Sequence, residues 1–193
     1  ASASAVMVLA MTATPLAMTL HHHSLTDVAT VIQVHVLGMF LPSFVTGSLI
    51  ARFGVLRIML GGAALLSAHV GVSLSGMSLG SFGLALVLLG MGWNFLYVGG
   101  TTLLTSTYRP VEQAQAQGAN DLLVYGAGLV SSLGAGALLH AVGWQLMNAI
   151  LAPLLLVVII VVSRLRHVRP DPRAGPGQCS ATTSPRIETG TRE

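Results

Sequence analysis

Long apolar runs recur along the whole chain, and this repetition constrains the fold more than any other feature. A helix that crosses a bilayer needs about 17–25 mostly apolar residues. Short polar or glycine-containing connections separate the apolar runs, which cover residues 3–20, 28–50, 58–74, 79–104, 118–139 and 144–162. We therefore predict an all-α polytopic membrane protein whose transmembrane domain, residues 1–162, contains six helices.

The scarcity of charge excludes the other broad classes of protein. Only 8% of the 193 residues are charged and 53% are hydrophobic, whereas about 25% of residues are charged in a typical soluble domain. A soluble domain of this size needs more charge to cover its surface. A disordered chain combines low hydrophobicity with high charge, which is the opposite of this composition.

The arginines predict how the helices are oriented. The first, third and fifth connections, at residues 21–27, 75–78 and 140–143, contain no arginine, and the chain contains no lysine. Every arginine lies in the second connection, in the fourth connection or after residue 162. Because basic loops stay on the cytoplasmic side, we expect these segments and both termini to lie in the cytoplasm.

The last 31 residues differ in character from the rest of the chain. Residues 163–193 are rich in proline, glycine and arginine and carry the whole formal charge of +3. This composition predicts a disordered basic cytoplasmic tail. No aromatic residues alternate with its arginines, as they do in binders of single-stranded nucleic acid, so the lipid bilayer is the expected partner and nucleic acid is not.

The chain lacks the residue clusters that enzymes and metal sites use. A membrane-embedded enzyme needs several ionisable groups at one depth, and the sequence offers no paired acids and no serine with a nearby base. The one cysteine, Cys179, has no companion at metal-ligand spacing. The three consecutive histidines at residues 21–23 cannot all bind one ion from a helix face, and we interpret them as an exposed loop. We expect no enzymatic activity, no metal and no cofactor.

A motif between the second and third apolar runs points to a family. Residues 47–57 read Gly-Ser-Leu-Ile-Ala-Arg-Phe-Gly-Val-Leu-Arg. This segment resembles the Gly-x-Leu-x-Asp-Arg-x-Gly-Arg-Arg/Lys signature of the major facilitator superfamily, and residues 109–118 resemble that family's connection between its tenth and eleventh helices. Four positions match the signature: Gly47, Leu49, Arg52 and Gly54. Alanine replaces the aspartate of the signature, and Arg57 lies one place past its basic pair.

The resemblance implies a function as well as a fold. Such an eroded motif is typical of the C-terminal half of these proteins, so the chain would form one six-helix half bundle, corresponding to helices seven to twelve. It would move a small solute across the bacterial inner (plasma) membrane by alternating access, together with an N-terminal half or a second copy. The alternatives are a membrane scaffold that transports nothing and an orphan or non-functional half.

The resemblance also implies where a solute would bind. Members of the family line their central cavity mainly with the first and fourth helices of each half, with the second and fifth beside them. Polar residues are costly inside a membrane and usually face a cavity or another helix. The polar residues on these four runs are the candidates for the cavity: Thr14, Gln33, His35, Asn94, Tyr97, Asn120 and Tyr125.

Three of these candidates carry more specific expectations. Asn94 and Tyr97 are three residues apart, so we expect them to form a polar patch on one helix face, with Trp93 adjacent. His35 has two interpretations. It could carry a coupling proton, because imidazole titrates near neutral pH, or it could simply make a hydrogen bond to a neighbouring helix.

The cytoplasmic side carries the candidates for gating. Gly47 would allow close helix contact, and Gly54 would permit the tight turn into the next helix. Arg52 and Arg57 would either fix the topology or latch the cytoplasmic side in one conformation. Asp121 would either stabilise a helix N-terminus or contact basic residues of another half. A stripe of small residues would serve helix packing or bending; it comprises Gly128, Ser132 and Gly136.

Overall fold

The computed structural model describes residues 2–107 and 109–168 of the chain. The described residues form helices and contain no strand, which confirms the predicted all-α class. The helices are α1 (Ser2–Leu20), α2 (Leu25–Phe40), α3 (Ser43–Phe53), α4 (Val55–Ser75), α5 (Leu79–Thr105) and α6 (Gln113–Val168), and a short 3₁₀ turn, Pro110–Glu112, precedes α6.

Polar residues between the apolar runs cap the helices that follow. At the start of α2, the Ser24 hydroxyl accepts a hydrogen bond from the Asp27 amide, and the Asp27 carboxylate accepts one from the Ser24 amide. The Ser78 hydroxyl accepts a hydrogen bond from the Ser81 amide at the start of α5. These bonds satisfy amides that the first helical turn leaves free, so the two serines define where α2 and α5 begin.

The second predicted run is not one continuous helix. It divides at Leu41 and Pro42 into α2 and α3, because proline has no amide hydrogen and cannot continue the helical hydrogen-bond pattern. The two pieces together still form one candidate membrane segment of 29 residues, Leu25–Phe53. The prediction missed this break, since prolines also occur inside membrane helices.

The fifth and sixth predicted runs fall within one long helical segment. Residues Gln113–Arg166 form a candidate membrane segment of 54 residues, the last of five such segments among the described residues. A helix of this length would extend about 80 Å, far beyond the roughly 30 Å of bilayer hydrocarbon. Gly143 interrupts the helical backbone with φ 75° and ψ 171°, so α6 has a first part, residues 113–142, and a second part, residues 144–168.

The two parts of α6 pack on different helices. Gly128 in the first part lies against Val8 of α1. In the second part, the Trp144 indole donates a hydrogen bond of 3.2 Å to the carbonyl oxygen of Ser73, and Leu155 shares a hollow with Ser67 of α4. The second part therefore runs antiparallel to α4. This arrangement supports two crossings by α6, although the total of six crossings stays a prediction.

The connections without arginine meet at one end of the bundle. His23 Nε2 lies 3.0 Å from the carbonyl oxygen of Met77, and its ring meets Phe82 edge-on. The Phe82 ring contacts Trp144, with 5.2 Å between the ring centroids. Gly54, which precedes α4, and Arg57, in its first turn, lie at the opposite end of that helix. The helices thus alternate in direction as the distribution of arginine predicts, whereas the assignment of one end to the cytoplasm stays a prediction.

Helix α5 lies at the centre of the packing. It is flanked by α2 and α4, and it also contacts α1. Histidines from both flanking helices bond to its backbone: His35 Nδ1 lies 2.7 Å from the carbonyl oxygen of Leu86, and His69 Nδ1 lies 2.8 Å from that of Ala85. These bonds link the three helices at one depth.

The predicted boundary between the membrane domain and the tail differs from the end of the helix. Helix α6 continues through Val168, so residues 163–168, predicted to begin the tail, are helical. Residues 169–193 lie outside the described part of the chain, and the predicted disordered tail stays a prediction there.

Candidate functional site

An open groove of about 470 Å³ lies between α1, α5 and the first part of α6. These elements correspond to the first, fourth and fifth predicted runs, three of the four from which a central cavity was expected. The lining is mostly apolar and includes a few hydroxyl groups, which is typical of small-molecule sites of about 300–1,000 Å³. Its residues are Ser4, Met7, Val8, Trp93, Tyr97, Val124, Tyr125, Gly128, Leu129 and Ser132.

Aromatic rings form the most distinctive part of the groove. The Trp93 and Tyr97 rings are stacked, with 4.8 Å between their centroids and 17° between their planes. Tyr125 contributes a third ring and is 72% exposed. The Trp93 indole donates a hydrogen bond of 3.4 Å to the Ser4 hydroxyl, which ties the stack to α1. Stacked rings that face open space can bind a flat conjugated solute.

Tyr97 also borders a second hollow. This hollow, of about 320 Å³, continues along α5 past Thr101 and Thr105. It extends from the groove towards the end of the bundle where α5 leads to Arg109. Tyr97 therefore lies where the two hollows meet.

The structure places two of the predicted cavity residues, Tyr97 and Tyr125, in the groove and buries three others in helix packing. Thr14 is fully buried, and its hydroxyl donates to the carbonyl oxygen of Ala10 in its own helix. His35 is fully buried and bonded to α5 through the carbonyl oxygen of Leu86. This contact supports the interpretation of His35 as a bond between helices.

Asn94 connects three helices. Its amide nitrogen donates to the carbonyl oxygen of Met39 at 2.9 Å and to the Ser43 hydroxyl at 2.6 Å, and its amide oxygen accepts from the Thr46 hydroxyl at 2.8 Å. Asn94 thus points towards α2 and α3, while Tyr97 points into the groove. Asn94 therefore does not share a patch with Tyr97, whose neighbour is Trp93, the residue expected beside it.

The remaining predicted polar residues lie outside the groove. Gln33 is exposed on α2. Asn120 is half-buried, and its amide donates to the Asp121 carboxylate. Asp121 also accepts a hydrogen bond from Gln117. Because α6 begins at Gln113, Asp121 lies in the third helical turn, beyond the reach of the helix N-terminal dipole. Helix capping therefore does not explain Asp121.

The loop that carries the motif adopts a sharp turn at Gly54. Its φ of 89° lies in a region that other residues rarely adopt, as expected for a tight turn between α3 and α4. Arg57 donates a long hydrogen bond of 3.5 Å to the carbonyl oxygen of Phe53 at the end of α3, and Arg52 lies over the Phe53 ring. A Cβ added at Gly47 would meet no described atom beyond its own helix within 4 Å. The close helix contact expected at Gly47 therefore does not occur among the described residues.

The hydroxyls that line the groove and the stacking of Trp93 on Tyr97 were not predicted from the sequence. Ser4 lies between two alanines, and Ser132 was assigned to the stripe of small residues, so neither was a candidate for the cavity. Trp93 and Tyr97 are four residues apart, a spacing that places two rings side by side on a helix, and this signal was available. The stripe of small residues on α6 borders the groove at Gly128 and Ser132. A Cβ added at Gly136 would meet no described atom beyond its own helix within 4 Å.

Comparison with known proteins agrees with this architecture. The sequence profile of the Major Facilitator Superfamily matches residues 1–189. The chain belongs to the major facilitator superfamily. Its membership, together with five helical segments that are long and apolar enough to span a bilayer, identifies a multi-pass membrane protein. No solved structure matches the chain.

Three curated relatives carry the names of transporters. The chain is 42% identical over 163 residues to the riboflavin transporter RfnT of Brucella anthropi, covering 84% of this chain and 41% of that protein. Two uncharacterized MFS-type transporters of Bacillus subtilis are also similar: YddS is 36% identical, over 82% of this chain and 37% of the relative, and YdeG is 35% identical, over 83% and 38%. The chain thus spans about two-fifths of each relative.

Proposed function

We propose that this chain forms the C-terminal half of a secondary transporter that moves a small solute across the inner membrane of a bacterium by alternating access. Its similarity to about two-fifths of each relative and its packing around α5 support a single half bundle. An N-terminal half, or a second copy of the chain, would face the open side of the groove. Both termini and the arginine-bearing connections would lie in the cytoplasm.

The observation that carries this proposal is the groove with its stacked rings. Trp93 and Tyr97 form a flat surface beside the exposed ring of Tyr125. Ser4 and Ser132 contribute hydroxyl groups to the lining of the groove. Flat conjugated solutes with polar substituents match such a lining, since aromatic rings stack and hydroxyls donate or accept hydrogen bonds. We propose riboflavin as the first substrate to test, because a relative is named for its transport.

The loop residues would take part in the conformational cycle. Gly47 is exposed and meets no described neighbour, which leaves it available for contact with another half. Arg52 and Arg57 would latch the same side, and Gly54 would hold the turn that positions them. Asp121 would contact basic residues of the other half, a role supported by its place two turns inside α6, where capping is excluded.

The remaining polar candidates have different places in this proposal. Gln33 and Asn120 would contact solute only if the other half brought it to them, because neither lines the groove. Thr14, His35 and Asn94 would affect transport through the packing of the half bundle.

Uptake by the full-length transporter in proteoliposomes tests the proposal. We expect saturable riboflavin uptake. Replacing Tyr97 by alanine should raise KM about two- to twelvefold, because a stacked aromatic pair contributes about 0.5–1.5 kcal/mol beyond its buried area. The matched variant Tyr97→Phe keeps the ring and should retain the KM of the unaltered protein.

Two results would contradict different parts of this proposal. If Tyr97→Ala and Tyr97→Phe had the same KM as the unaltered protein, the aromatic groove would not be the binding site. If the full-length protein moved neither riboflavin nor any other solute in a panel, the proposed transport function would be wrong, and a scaffold without transport would take its place.

A further inference from the structure

A buried polar cluster lies between α4 and the second part of α6, separate from the groove. Helix α4 contributes His69 and Ser73, and α6 contributes Trp144 and Asn148, each pair being four residues apart on its own helix. The Trp144 indole donates to the backbone of Ser73, and because α4 and the second part of α6 run antiparallel, His69 and Asn148 lie at the same level, one helical turn further along the bundle. His69 and Asn148 are fully buried and Ser73 is 2% exposed.

The hydrogen bonds in the cluster determine which atoms can donate. His69 Nδ1 lies 2.8 Å from the carbonyl oxygen of Ala85, and a carbonyl only accepts, so Nδ1 carries the hydrogen. In a neutral ring, His69 Nε2 is then an acceptor. The Asn148 amide nitrogen donates to the carbonyl oxygen of Trp144 at 2.9 Å, which leaves Asn148 Oδ1 as a second acceptor.

Three buried atoms of the cluster have no hydrogen-bond partner among the described residues: His69 Nε2, Ser73 Oγ and Asn148 Oδ1. The histidine and asparagine atoms are both acceptors, so neither can satisfy the other. Buried polar groups are usually hydrogen-bonded, and an unsatisfied one is costly. A donor between the two acceptors would remove this cost.

A single water molecule has the hydrogen-bonding groups that this cluster needs. It can donate one hydrogen to His69 Nε2 and the other to Asn148 Oδ1, and it can accept one from the Ser73 hydroxyl. Buried waters typically make about three such bonds to polar groups that lack other partners. We propose that His69, Ser73 and Asn148 bind one buried water molecule that joins α4 to the second part of α6.

Aromatic rings separate this cluster from the end of the bundle that contains the connections without arginine. Phe82 is 1% exposed and contacts both Trp144 and His23, and Trp144 is 4% exposed. The His69 and Asn148 side chains lie one helical turn deeper than Ser73 and Trp144. A water molecule bound there would exchange slowly with the aqueous phase.

Solid-state NMR of the full-length transporter in lipid bilayers, with isotope-labelled histidine nitrogens, tests the proposal. A His69→Gln variant identifies the His69 signals by difference. We expect one protonated and one unprotonated nitrogen, with the unprotonated nitrogen showing a hydrogen-bonded chemical shift and receiving magnetisation from an immobilised water. Asn148→Leu and Ser73→Ala should weaken or abolish that transfer.

Ser67→Ala provides the matched control for Ser73→Ala. Ser67 lies on the same helix, but its hydroxyl donates within the helix to the carbonyl oxygen of Ala63, so its loss should leave the His69 signals unchanged. A His69 Nε2 without a hydrogen bond in the unaltered protein would overturn the proposal. So would two protonated nitrogens, since a charged ring could donate directly to Asn148. The unaltered protein alone gives either result, even if a variant fails to fold.

Discussion

At the scale of single residues, the polar side chains buried within the half bundle mainly join helices. Asn94 makes hydrogen bonds to Met39, Ser43 and Thr46 on two neighbouring elements, and His35 bonds to α5. In a membrane, where apolar side chains gain little by leaving lipid, hydrogen bonds and close packing hold helices together. These residues therefore support the groove without lining it.

Asn94→Leu tests this role. The substitution removes all three side-chain hydrogen bonds of Asn94 and leaves the buried carbonyl oxygen of Met39 without its side-chain donor, so we expect the free energy of unfolding to fall by about 1–3 kcal/mol. The same substitution at half-buried Asn120, which bonds only to the adjacent Asp121, should have a much smaller effect. Thermal unfolding of the full-length protein in detergent measures both. Equal melting temperatures for the two variants would refute the assignment of Asn94 to helix packing.

The sequence identified which polar residues lie within the membrane segments, but not the direction in which each points. Asn94 and Tyr97 were assigned to one patch because they are three residues apart. On the helix, however, that spacing leaves an angle large enough for Asn94 to reach α2 and for Tyr97 to reach the groove. Which neighbour each side chain meets depends on how the helices are arranged, and one helix's periodicity carries no information about that.

At the scale of helices, close backbone contact determines how α4 and α5 cross. A Cβ added at Gly92 would lie 2.8 Å from the carbonyl oxygen of Gly62, and one added at Gly62 would lie 2.9 Å from that of Gly92. This mutual approach leaves no room for a side chain at either position. Small residues at helix crossings are typical of membrane proteins, and here they allow α4 to contact α5 directly.

Gly92→Ala should therefore disturb the crossing. The added methyl group would displace backbone atoms rather than a flexible side chain, and we expect a loss of about 1–3 kcal/mol in stability. Gly100→Ala is the matched control on the same helix, because an added Cβ there meets nothing within 4 Å; its stability should be unchanged or slightly higher. Thermal unfolding compares them, and a Gly92→Ala protein as stable as the control would rule out the close crossing.

Most helices could be predicted from apolar runs, and the interruption of α6 at Gly143 falls in the predicted connection at residues 140–143, but the division of the second run could not be predicted. The bounds of α1, α4 and α5 agree with the predicted runs to within a few residues, because the runs are long and bounded by polar or glycine-containing turns. The division at Pro42 escaped prediction because a proline inside an apolar run can either kink a membrane helix or end it. Neighbouring helices decide between the two.

At the scale of the whole molecule, the groove is open along the exposed face of the first part of α6. Tyr125 and several large apolar residues of the first part of α6 are exposed, among them Leu129 at 62% and Leu133 at 76%. In the proposed transporter, lipid or the other half covers this face. The sequence could predict the helices beside the groove only through the family resemblance, since apolar runs alone do not distinguish a cavity from a lipid-facing surface.

The central claim is that the chain crosses the membrane six times, with every arginine-bearing connection in the cytoplasm. Accessibility of single cysteines in the full-length protein, in intact cells and with native cysteines replaced, tests it most directly. Suitable positions are Ser75, Gln115 and Ala141, all of which are exposed in the structure.

We predict that an impermeant thiol reagent added outside labels Ser75→Cys and Ala141→Cys at once, and labels Gln115→Cys only after the membrane is permeabilised. Labelling of Ala141→Cys and Gln115→Cys from the same side would show that the first part of α6 does not cross the bilayer. Labelling of Ser75→Cys only after permeabilisation would show that the orientation is inverted. Either result would contradict the account.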